Sequence, residues 1–160
     1  MTKRKSHLVI LIRYGRLDAF DAIDEIEKVM SKRKHAWFGK YGQPLNKRLE
    51  EIVERKNHEV TVFLIRKTKD DEQQSLGYRL HPYSLRSISR KIPEHKSEFP
   101  PYYLKHLGHI STWLLVEPYI GPKIELADLI TKSSGMPVLN SLRSSMRGHF
   151  LCRLREGNQK

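Results

Sequence analysis

Two short runs, Leu8–Ile12 and Val60–Arg66, constrain this chain most, because each is apolar or β-branched at consecutive positions rather than alternate ones. A strand sends successive side chains to opposite faces, so such a run needs cover on both sides. In Val60–Arg66 the residues Val60, Val62 and Leu64 share one face, and Phe63 and Ile65 share the other. Both runs predict interior strands, and Val60–Arg66 predicts a central one.

Helices enter near the beginning. Asp18 and Asp21 resemble an N-terminal cap, and Phe20, Ile23, Ile26 or Glu27, and Met30 follow helical spacing, which predicts a helix over 18–31. Leu45, Leu49, Ile52 and Val53 predict a second helix over 46–56, with Asn46 as its cap. Between them the segment 35–41 reads as a short strand ended by Gly42-Gln43-Pro44. The polar run 67–75 reads as a mobile loop, and Leu76–Ser89 as a strand region broken at His81-Pro82, the proline marking a bend or an edge. Residues 91–108, rich in proline, tyrosine and histidine, read as a lid insertion. A strand over Ile110–Tyr119, a short helix over Leu126–Lys132, a turn or two over Val138–Ser145 and a closing strand over His149–Leu154 complete the order. The expectation is one α+β domain over 1–160: a small mixed or barrel-like sheet with peripheral helices, not a doubly wound parallel sheet.

The chain carries 30 Lys and Arg against 18 Asp and Glu, a formal net charge of +12. That balance points to an anionic partner, and a polyanion uses scattered arginines better than a small metabolite does, so DNA or RNA is the expected partner. Longest among the apolar runs near the start is Leu8–Ile12, too short for a signal-peptide core, and no run approaches the length needed to cross a bilayer. With no amphipathic basic helix evident, a membrane partner is not expected. Cys152 is the only cysteine, which rules out an internal disulfide and a thiolate cluster and fits a reducing cytoplasm.

Aromatic rings stack on bases, glycines admit close backbone approach, and lysines neutralise phosphate. The stretch His35-Ala36-Trp37-Phe38-Gly39-Lys40-Tyr41-Gly42 interleaves all three. Trp37, Phe38, Tyr41, Trp113 and Tyr119 are the candidate walls of a base pocket, with a core role for the rings as the competing reading. Lys40, Arg66, Arg79, Arg86, Arg90, Arg143 and Arg147 are the candidate phosphate contacts. Glu117 and Asp128 are candidates for reading a base edge.

The early strand and helix, the segment Ala36-Trp37-Phe38-Gly39-Lys40, the strand VTVFLIRK and the tryptophan strand Ser111-Thr112-Trp113-Leu114-Leu115-Val116 together resemble the PUA-like superfamily, which includes the EVE, YTH and ASCH domains. The resemblance implies a small curved barrel whose groove holds nucleic acid and, in several branches, a pocket for a flipped, modified base. The ASCH signature G-x-K-x-x-E-x-R is absent, so that branch lends no enzymatic inference.

Catalytic motifs are few. His106-x-x-His109 lacks a partner at metal-site spacing, no G-x-S-x-G elbow exists, and neither phosphate-loop pattern is present. No metal, cofactor or catalytic residue is therefore assigned. The alternatives to a binding module are a nuclease with an unrecognised site and a protein-interaction or inhibitory factor of phage or defence origin; an effector protein is a further expected partner.

Overall fold

The computed structural model describes residues 7–14, 20–45, 47–54, 59–67, 78–121, 123–131, 135, 137–138 and 149–154. Strands β1 (His7–Arg13), β2 (Ala36–Tyr41), β3 (Glu59–Lys67), β4 (Tyr78–Ser89), β5 (Ile110–Pro118), β6 (Leu129–Thr131) and β7 (His149–Leu154) form one sheet in the order β2-β5-β4-β3-β1-β7-β6. β1 and β3 pair in parallel and the other neighbours are antiparallel. The architecture is a mixed sheet with two α-helices, α1 (Ala22–Arg33) and α2 (Lys47–Glu54).

The doubly apolar runs lie where their composition requires. β3 occupies the middle of the seven strands and β1 lies beside it. Leu8, Ile10, Ile12, Val62 and Leu64 join a core beneath α1 and α2, while Val9, Leu11, Phe63 and Ile65 join a second core with Leu126, Leu129 and Val138. Each such buried side chain contributes about 1.5–3 kcal/mol, so both layers stabilise these two strands.

Asp21 caps α1, accepting from the Ile23 amide at 3.0 Å. The helix thus starts at Ala22, later than the spacing predicts, and buries Ile23, Ile26, Val29 and Met30. Phe20 falls outside it. Lys34, at a φ of 65°, ends it by returning its amide to the Met30 carbonyl.

Two expectations are corrected. Leu76–Ser89 is not broken at His81-Pro82: over Tyr78–Pro82 β4 pairs with β3 alone, because β5 ends at Pro118 opposite Tyr83. A proline is tolerated there as on any edge. Leu126–Lys132 is not a helix either; a 3-10 turn, Leu126–Asp128, runs straight into β6, whose Leu129, Ile130 and Thr131 are all buried. The loop 67–75 and the turns 138–145 lie largely outside the described residues.

Residues 91–108 contain three 3-10 turns, Lys96–Glu98, Pro101–Lys105 and Leu107–His109. Phe99, Tyr102 and Tyr103 anchor this segment in a third, aromatic core with Ile110 and Trp113. Ring centroids lie 5.1 Å apart for Phe99 and Trp113 and 5.7 Å apart for Tyr103 and Trp113.

Candidate functional site

A cavity of about 160 Å³ opens beside the edge strand β2. Its walls are Arg13, Tyr14 and Ala22 on one side, Phe38, Gly39, Lys40 and Tyr41 of β2, and Tyr102 and Tyr103 of the 3-10 segment. Three strands separate β1 from β2 in the sheet order, yet the end of β1 and the middle of β2 face the same space. The sheet is therefore strongly curled.

Local sequence builds each wall. Gly39 lets the aromatic segment approach: a Cβ there would stand 2.9 Å from Ile110 Cδ1 and 3.3 Å from Tyr103 Cε2. A bulge in β5 at Ser111, whose hydroxyl donates to the Lys40 carbonyl at 3.3 Å, re-aims the end of β2. Gly42, at a φ of 77°, then turns the chain away. Phe20 stacks on Tyr102 with centroids 5.0 Å apart, linking the segment before α1 to the 3-10 segment.

Behind Tyr14 lies a buried charged network. The Asp21 carboxylate accepts from the Tyr14 hydroxyl at 2.7 Å and from Arg66 Nε at 2.9 Å, and Arg79 Nη1 lies 3.0 Å from it. Arg79 also donates to Asp24 at 2.6 Å. Burial, and then the bond to Asp21, raises the Tyr14 phenol well above its ordinary pKa. Along the same helix–strand contact Tyr83 donates to Glu27 at 2.8 Å, and His81 stacks on Tyr83 at 4.6 Å.

The candidate residues separate in the structure. Phe38, Lys40 and Tyr41 line the cavity. Trp37, Trp113 and Tyr119 do not. Trp113 is 1% exposed within the aromatic core, Trp37 packs half-buried against that same core, and Tyr119 packs against the second core. Trp37 points to the face opposite Phe38.

Among the phosphate candidates, Arg66 is 6% exposed and paired with Asp21. Arg79 pairs with Asp21 and Asp24, Arg86 with Glu117 at 2.7 Å, and Arg90 with Glu50 at 3.0 Å. Lys40 is 4% exposed, so it can meet a ligand only inside the cavity. Arg143 and Arg147 lie outside the described residues. Glu117 serves Arg86, and Asp128 accepts from the Glu125 amide as a turn cap. Lys32 and Arg33 in the last turn of α1, and Lys34 after it, are exposed.

Sequence reasoning missed Arg13, Tyr14, Tyr102 and Tyr103 as lining residues. The adjacent pairs Pro100-Pro101 and Tyr102-Tyr103 were the available signal. Prolines fix a 3-10 turn and the tyrosines ride on it.

Among the described residues no group of three or more His, Cys, Asp or Glu could hold a metal ion, and no helix is long and apolar enough to cross a membrane. No protein-family model, curated protein or solved structure matches the chain, so function must be argued from the cavity and the charge.

Proposed function

We propose that this protein binds nucleic acid, holding one base in the cavity beside β2 while cations outside it meet the phosphates. The observation that carries the reading is the convergence of Phe38, Tyr41, Tyr102 and Tyr103 with Arg13 and Lys40 around one small space, in a chain of net charge +12. At about 160 Å³ the space lies below the usual range of roughly 300–1,000 Å³ for drug-sized ligands. It suits one ring system rather than an extended cofactor. An extracted base forfeits its stacking neighbours, a loss of a few kcal/mol that aromatic contacts of about 1–3 kcal/mol per base offset.

The curled mixed sheet, with helices inserted after its first two strands, supports a PUA-like assignment, and with it recognition of a modified base. A binding screen of single- and double-stranded DNA and RNA, with and without modified bases, tests the reading. Tight binding that tracks one base or modification supports it. Divalent-metal-dependent cleavage supports a nuclease instead, and a salt-insensitive protein partner supports an interaction factor.

A further inference from the structure

Lys40 lies in the wall of the cavity, and its ammonium has three protons to donate. Two of them have acceptors in the adjoining turn, the carbonyl oxygens of Tyr41, at 3.3 Å, and Gln43. Among the described residues no carboxylate stands within ion-pair distance, and burial lowers the Lys40 pKa from its ordinary value. A buried cation with a third donor and no carboxylate beside it favours a ligand that brings an acceptor.

The rest of the wall reinforces this polarity. Arg13 is donor-only, and no Asp, Glu, Asn, Gln or His side chain lines the space. Side-chain acceptors there are limited to tyrosine hydroxyls, of which Tyr14 already donates its proton to Asp21. The ligand edge that complements such a wall carries acceptors and no amine donor.

Resting on the base-pocket reading above, we propose that the cavity selects a base bearing a carbonyl on an edge away from the sugar, namely thymine, uracil or guanine, whose oxygen accepts from the Lys40 ammonium. Adenine, whose acceptors on the edges away from the sugar, N1 and N7, each stand beside the exocyclic amine donor, is disfavoured. Stacking serves all of these bases alike, so the discrimination falls to this charge-assisted bond.

The test uses short single strands in which every position but one is abasic, the remaining base being thymine or adenine, with binding read by fluorescence anisotropy. The thymine strand binds about tenfold tighter than the adenine strand, as one hydrogen bond to a charged group allows, and Lys40→Met levels the two. Equal affinity for both strands, each tighter than a wholly abasic strand, overturns the carbonyl preference and leaves the base pocket standing. Equal affinity for all three removes the base pocket itself. A second measurement needs no variant: in protein carrying ¹³C-lysine, the ε-methylene resonance of the buried lysine moves on adding the thymine strand and stays still with the adenine strand. A resonance that ignores both overturns the proposal.

Discussion

Arg66 Nε donates to the Asp21 carboxylate at 2.9 Å, joining the middle strand of the sheet to the cap of α1 across 45 positions of sequence. Both side chains are almost wholly buried. Asp21 thereby serves as helix cap, as partner to two arginines and as acceptor for Tyr14. Asp21→Ala removes the carboxylate that Arg66, Arg79 and Tyr14 share and is expected to cost about 3–5 kcal/mol of stability in a denaturant titration. Arg66→Met, which removes the charge but keeps the volume, is expected to cost less. A loss under 1 kcal/mol for Asp21→Ala would show that the network contributes little.

Gly39→Ala tests how closely the 3-10 segment must approach β2. The new methyl meets Ile110 and Tyr103 inside a packed aromatic core. Overpacking of this kind costs about 1–3 kcal/mol, and the displaced Tyr103 should reshape the cavity. Calorimetry reads the first effect; oligonucleotide binding reads the second. An unchanged Tm would place Ile110 as freely yielding.

Alkaline behaviour follows from the buried phenols. Burial is the main cause that raises Tyr14, Tyr83, Tyr102 and Tyr103 above the ordinary tyrosine pKa. A raised folded pKa gives stability that is present below the unfolded value, about 10, and lost as pH climbs beyond it. The protein should therefore unfold cooperatively in strong alkali. Absorbance near 295 nm will show these four phenols ionising only with that unfolding, whereas smooth titration of all seven tyrosines near the ordinary value would contradict the burial.

Cys152, buried on β7, has its thiol pushed up to about 12. The thiolate is the reactive form, so a colorimetric thiol reagent at pH 8 should leave the native protein unlabelled and react on unfolding. Rapid labelling of the native state would show that β7 opens readily.

Legibility followed burial. Runs covered on both faces, Leu8–Ile12 and Val60–Arg66, announce themselves because nearly every position must be apolar; the closing strand expected at His149–Leu154 coincides with β7. Pro82 left a bend and an edge both open, because the choice depends on where a neighbouring strand ends, which is a tertiary fact; it lies at an edge of an unbroken strand. The short strand β6 was read as helix for a like reason: Leu129–Thr131 is too short for its period to be distinguished. At the cavity, ring-rich composition led to Phe38, Lys40 and Tyr41 but also to Trp37 and Trp113, since stacking on a base and packing in a core favour the same side chains. Arg66 and Arg79 could not be separated from surface cations, because the acids that pair with them lie on α1, more than forty positions earlier.

The most direct measurement is the affinity of a labelled single strand across a salt series, for the wild type and for Tyr102→Ala. Phosphate contacts make log affinity fall linearly with log salt, by on the order of a thousandfold between roughly 50 and 200 mM for about six contacts to a duplex and somewhat less for a single strand. The account predicts that slope in both proteins, with Tyr102→Ala weaker by about 1–3 kcal/mol at every salt concentration through loss of ring contact with the base. No binding at low salt, a flat salt series, or equal affinity in the two proteins would contradict it.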